Sequence, residues 1–222
     1  MKFSKETTEL LTNFASINMS ILIREGKKLR TISPQKNVMA IANIVEDMPK
    51  EFAIYDLKQF LGTISLFEDP DLDFGDKSVK ISNGSGAFAS FMFAAKEAIV
   101  SASEKDIAVS NPEITFSLDN KSLSDALKAA GVLGLPEIAF VGKGGKTFLT
   151  AVDTRNDSAH TWEMPVGKSD AVYRMIFRLD NLKLLPRDYE VQISSKGISK
   201  FASKAGDVTY YIAVETGSKY NS

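Results

Sequence analysis

The run "VGKGGKT", Val141–Thr147, is where chemistry would first be sought, because a glycine-rich loop ending in Lys-Thr can cradle phosphates through its backbone amides. That nucleotide-binding loop also needs a glycine where this chain has Phe140, so the match fails. Gly142–Lys146 lie between two strand-like runs, and a glycine-rich hairpin turn accounts for them. "DPDLDFGD" sets Asp69, Asp71 and Asp73 at alternate positions, as a calcium loop begins. The later glycine and glutamate of such a loop are replaced by Phe74 and Lys80, which leaves a solvated acidic turn. His160 is the single histidine and there is no cysteine, so thiolate sites, disulfides and thiol nucleophiles are excluded and no local histidine cluster can form. No serine stands in a nucleophile-elbow pattern. The expectation is a protein that is not an enzyme and that uses no cofactor and no metal.

With no reaction centre in view, the elements themselves become the subject. In "SKETTELLTNFASIN", Ser4 can cap a helix whose Thr7, Leu10, Leu11 and Phe14 recur at i, i+3, i+4 and i+7. The opposite side then falls near Lys5, Glu9, Thr12 and Ser16, a polar and only partly basic surface. Strand-like segments follow, and "EFAIYDLKQFLGTISLF" reads as a strand entering a second helix with Leu57, Phe60, Leu61 and Ile64 on its apolar stripe. Short strands with turn signals lead to "AFASFMF".

The same order then returns. "PEITFSLDNKSLSDALKAAGV" holds a third helix with Leu123, Ala126, Leu127 and Ala130 on one stripe. "EIAFVGKGGKTFLTAVDT" reads as a hairpin and "SAHTWEMPV" as a further strand, on which His160 and Trp162 share a face. "VYRMIFRLDNLKLLPRDYEVQIS" repeats the strand-into-short-helix pattern, ended by Pro186. The domain boundaries expected are 1–100 for the first half, 101–111 for a connector and 112–222 for the second half. A helical reading of Lys96–Asp106 stays open beside the connector.

Composition is that of a soluble globular protein: 44% hydrophobic, 25% charged, and 222 residues, enough for two domains that each bury a core. No apolar run approaches the roughly 18 residues of a membrane span, and the expected location is the cytoplasm. The net charge of −1 gives no overall basic footprint, so any contact with nucleic acid must come from charge segregated by face. The helices supply a hint of this. Lys121, Asp125 and Lys128 fall opposite the third stripe, Lys58, Gln59 and Gly62 on the outer side of the second, and Lys183 on the short fourth helix. Singly these are ordinary solvated lysines; if the helices line one surface, it would touch phosphates without reading bases.

"MKFSKETTELLTNFASIN", "AIYDLKQFLGTISL" and the plan in two halves closely resemble the sliding clamp, or DNA polymerase processivity factor, of T-even-type bacteriophages. The resemblance is densest over the first 66 residues or so and compatible with the whole length. It implies an α+β DNA-clamp fold, two similar domains each with two helices packed on antiparallel sheets, assembling head to tail into a homotrimeric ring around double-stranded DNA. The DNA-facing residues would be Lys5, Thr12, Lys58, Gln59, Lys121, Lys128 and Lys183. By rough alignment with related clamps, a partner-peptide pocket would comprise Val38, Ala40, Ile107, Val109 and the "YIAV" residues Tyr211, Ile212, Ala213 and Val214; plain β-core packing is the alternative for these. Ring closure would join an edge strand near Ala87–Phe93, with Ala87, Phe88, Phe91 and Phe93, to one near Ser158–Pro165, with His160 and Trp162. The implied partners are a DNA polymerase, an ATP-dependent clamp loader and RNA polymerase-associated late-transcription factors, with no membrane. Two rivals remain: a processivity factor that holds DNA on a basic face without closing a ring, and a structural β-rich virion protein with no DNA function.

Overall fold

The computed structural model describes residues 1–221. The chain forms two compact units, Met1–Lys105 and Asp106–Ser222. No helix among the described residues is long and apolar enough to cross a membrane.

The first unit opens with α1 (Lys5–Ile17) and continues through β1 (Ile21–Ile23), β2 (Gly26–Ile32), β3 (Val38–Met48), β4 (Phe52–Ile54), α2 (Leu57–Ile64), β5 (Asp71–Phe74), β6 (Ser78–Ser82) and β7 (Phe88–Met92). Ser4 accepts from the Thr7 amide at 3.1 Å and so caps α1, while the Glu46 carboxylate takes the Ser4 amide and, at 2.5 Å, the Thr7 hydroxyl. Burial works to raise the pKa of Glu46, but these two donors hold it below the usual carboxylate range. The α1 stripe is buried as its spacing requires, Leu11 and Phe14 completely. Asp56 caps α2 through the Gln59 amide, and Phe60 enters the core against Phe3 and Phe91, with ring centroids 6.4 and 5.1 Å away. β2 and β3 form one antiparallel hairpin, β1 pairs with β4, and β5-β6-β7 make a three-stranded meander. The acidic turn before β5 is tied down by an ion pair between Asp69 and Lys2.

The stretch that leaves this unit is pinned along it. Asn18 donates to the carbonyl of Val100 at 3.0 Å, Arg24 to that of Ala102 at 3.1 Å, and Arg30 to that of Lys105 at 3.4 Å. Within Lys96–Asp106 the only helical feature is a single 3-10 turn at Lys96–Ala98.

The second unit comprises β8 (Ile114–Leu118), α3 (Asn120–Leu133), β9 (Glu137–Lys143), β10 (Lys146–Val152), β11 (Trp162–Lys168), β12 (Val172–Arg178), β13 (Tyr189–Ser194), β14 (Ile198–Ser203), β15 (Val208–Ala213) and β16 (Lys219–Asn221). Asp119 caps α3, taking both the amide and the hydroxyl of Ser122 at 2.8 and 2.7 Å. Gly134 ends α3 with φ 66°, a left-handed turn that glycine adopts without strain, and lets Leu135 donate back to Ala130. One sheet runs β11-β10-β9-β12-β16, and β8 is joined through β13 and β14 to β15. Phe140, Phe177 and Phe201, all fully buried, meet edge to face or tilted at the centre of the unit.

One expectation is met here and two are corrected. The "VGKGGKT" run is the β9–β10 hairpin, with Gly144 and Gly145 at φ 57° and 77°, as the sequence requires; but the fourth helix is absent among the described residues. After β12 there is one 3-10 turn, Leu179–Asn181, so Lys183 sits on irregular chain. His160 lies before β11, in the turn region that precedes it, and shares no strand face with Trp162.

Candidate nucleic-acid interface

Each helix buries one stripe and turns a polar side outward. On α1 that side carries Lys5, Thr12 and Ser16, all exposed. The Thr12 hydroxyl donates to the Thr8 carbonyl at 2.7 Å and the Ser16 hydroxyl to the Asn13 carbonyl at 2.6 Å. The pattern repeats on α2, where Thr63 donates to Gln59 at 2.8 Å and Ser65 to Gly62 at 2.8 Å. A hydroxyl whose proton is committed to its own helix presents a lone pair outward, which a phosphate oxygen does not seek. Lys58 and Gln59 are exposed on the same side of α2.

On α3, Lys121 and Lys128 are exposed, and Lys121 is held by Asp125 one turn on, at 2.5 Å. The Asp125 carboxylate raises the affinity of Lys121 for its proton while cancelling its charge at a distance. Lys128 is at the rim of a groove of about 330 Å³ bounded by α3 and by Leu184, Leu185 and Pro186, the space beside the irregular stretch where a helix was expected. Lys183 is exposed on that same stretch. The faces that could meet DNA thus carry a few lysines, one of them paired with Asp125, among small polar groups. The Lys121–Asp125 pair is detectable in sequence from its i, i+4 spacing.

Each unit also ends in an edge. β7 is the outer strand of its meander and β11 the outer strand of the five-stranded sheet. Along β7 the side chains alternate: Phe91 and Phe93, the latter just beyond the strand, turn inward, Phe91 to Phe60 and Phe93 to Phe52 at 5.0 Å. Phe88 and Met92 face out, each 61% exposed. The outward apolar pair on this edge is therefore Phe88 with Met92, while Phe91 and Phe93, half-buried, pack against core rings of the first unit. Ala87 precedes the strand and is exposed; Trp162, opening β11, is half-buried. Met92 is absent from the expected edge residues, although period-2 alternation pairs it with Phe88.

The expected peptide-pocket residues divide. Ala40 and Ile212 expose no surface and Val38 almost none, which makes them packing residues of their strands. Ile107, Val109, Tyr211, Ala213 and Val214 are half-buried.

Against known proteins, residues 4–101 match the family model described as DNA polymerase processivity factor, and residues 115–216 match gp45 sliding clamp, C terminal. The chain is 34% identical to the sliding clamp of Vibrio phage KVP40, over 97% of this chain and 99% of that one. It is 30% identical to the sliding clamp of Enterobacteria phage T4, with both chains covered completely. Among solved structures, PCNA from Thermococcus kodakaraensis superposes with a TM-score of 0.69 at 17% identity, covering 96% of this chain and 98% of that chain, a likeness of fold.

Proposed function

The chain belongs to the sliding-clamp family of DNA polymerase processivity factors, and from that premise we propose that it works as a closed homotrimer around duplex DNA, threaded there by an ATP-dependent loader and gripping the polymerase. One observation carries the mechanism: the outward helix sides set a few lysines, one of them paired with Asp125, among hydroxyls already bonded to their own helix. A protein that neutralised many phosphates would bind DNA tightly and salt-dependently, and each step along the duplex would break those contacts. A ring holds DNA by topology, so Lys5, Lys58, Lys121, Lys128 and Lys183 need only centre it. Thr12 and Gln59 act as spacers between these lysines, and the committed Thr12 hydroxyl offers no donor that would fix a register.

Closure uses the two edges. β7 of one copy adds to β11 of the next, an association of unlike surfaces that closes when the rotation returns to its start. Phe88 and Met92 supply the apolar contact, with Trp162 on the receiving side. Tyr211, Ala213, Val214, Ile107 and Val109 are the residues we assign to partner peptides, those of the polymerase first and of late-transcription factors second. The clamp would act in the host cytoplasm, and would itself hydrolyse nothing.

The test combines mass and topology. A trimer mass in sedimentation, with retention on circular DNA that is lost when the circle is cut, is the expected result; a monomer retained equally on cut and uncut DNA would favour the non-ring reading. In the same assay Lys121→Glu with Lys128→Glu lowers polymerase processivity and keeps the trimer mass, whereas undiminished processivity removes α3 from the lining.

A further inference from the structure

The densest positive charge of the second unit is on the sheet, away from the helices. Lys146 on β10 stands directly opposite Lys168 on β11 and directly opposite Lys143 on β9. Directly opposed residues share a face, and so do residues two apart along a strand. Lys143 therefore shares its face with Val141, Val141 stands opposite Arg174 on β12, and Arg174 stands opposite Lys219 on β16. All five cations are exposed, and the face they share also carries a small buried apolar cluster of Ala139, Val152 and Ile176 with Val141 against it. The other face is fixed rigidly: Tyr173 and Thr147 are buried with their oxygens 2.7 Å apart, and a Cβ at Gly142 would come within 2.4 Å of the Tyr173 ring.

Like charges directly across a ladder destabilise a sheet, and here three lysines occupy adjacent opposed positions. Glu163 relieves Lys143 alone, at 2.9 Å, and Lys143 also lies 4.9 Å above the Phe148 ring. The far end of the same face is balanced, with Glu137 opposite Arg178, and Arg155 and Glu215 beside them around a cleft of about 110 Å³. One end of the sheet thus carries an excess that the other end does not, spread over five strands or about 20 Å at the usual strand spacing.

We infer that this row, Lys168, Lys146, Lys143, Arg174 and Lys219, is a second nucleic-acid site that takes the phosphate backbone of single-stranded DNA, independent of sequence. A row of cations across five twisted strands suits a flexible strand that can follow it, whereas a stiff duplex cannot bend to meet every member. The proposal rests on the clamp reading only in that a molecule linked to DNA meets nearby strands at high effective concentration, so weak contacts are occupied.

The experiment uses the full-length protein and closed-circular single-stranded DNA without loader or ATP, so that no copy can be threaded. The expected result is binding that weakens with salt, and in Lys146→Gln with Arg174→Gln a log–log salt slope smaller by about 1.4, at about 0.7 for each phosphate contact removed from a single strand. Absence of binding by the unaltered protein, or an unchanged slope in the variant, overturns the site. Binding of polyglutamate with none of DNA also overturns it and reassigns the face to acidic peptides. Polymerase processivity of the same preparations separates the two levels: processivity retained while DNA binding fails removes this row alone, and processivity absent throughout removes the clamp reading.

Discussion

In the first unit the chain after β4 winds into α2, whereas the corresponding stretch after β12 in the second unit makes one 3-10 turn and then runs on irregularly. Both stretches bury apolar side chains, Leu57, Phe60 and Ile64 in one and Leu182 and Leu185 in the other. They differ in what allows a helix. Asp56 caps α2, while Arg178 at the equivalent place makes no side-chain cap. Pro186 pushes Leu185 out of the helical region and removes an amide donor, so the available run is too short to complete two turns. Burial is the requirement that both halves meet. Helicity depends on a cap and on room free of proline.

The comparison breaks most visibly by truncating the buried anchors. Phe60→Ala removes a fully buried ring in contact with two others and should cost about 3–5 kcal/mol in denaturant unfolding. Leu185→Ala, at a site that is 7% exposed and beside an open groove, should cost nearer 2 kcal/mol, because the surroundings can collapse onto it. Equal losses would mean that the irregular stretch anchors its unit as firmly as α2 does.

What could be read from the sequence follows the same division. The α1 stripe, its Ser4 cap, the third helix and the Gly144–Gly145 hairpin rest on local spacing and turn chemistry, and spacing decided them. The fourth helix, expected to end at Pro186, does not form, because no side chain caps its start and Pro186 leaves too short a run. Of the expected edge-strand residues, Phe91 and Phe93 turn toward Phe60 and Phe52, and the strand's alternation divides them from Phe88 and Met92. Glu46, which clasps the start of α1 from β3, could not be found by any local rule, since it is brought there by the fold. The row of cations on the outer sheet is likewise a product of register. Its members are scattered from Lys143 to Lys219, and only strand pairing aligns them.

A finer effect concerns the caps. Asp119 accepts both the amide and the hydroxyl of Ser122, while Asp56 accepts the Gln59 amide alone. Asp119→Ala should therefore lose about 1 kcal/mol, within the usual range for a cap, and Asp56→Ala less. Thermal unfolding of the two variants side by side checks this, and the reverse order would assign the difference between the halves to something other than capping.

The smallest expected effect is set by acid. In the first unit Glu46 is held below the usual carboxylate range in spite of burial, by Thr7 and Ser4. In the second, Glu113 is held low by the Ser195 hydroxyl and amide, and Asp119 by those of Ser122; Asp207 is held low by Ser203 and Arg187 against the opposing effect of burial. A carboxylate depressed in the folded state contributes stability that is complete above its ordinary value and is lost as pH falls through the folded one. Loss should thus begin as pH drops past the ordinary values of 4.5 and 3.8 and continue below them. With three such groups against one, the second unit should loosen first, and amide exchange followed from pH 6 down to about pH 3 should show β13 and α3 losing protection ahead of α1. In Glu46→Gln the acid dependence of α1 should flatten while that of α3 stays; protection in α1 that falls with pH as steeply as before would mean that the clasp on Thr7 and Ser4 contributes nothing to it.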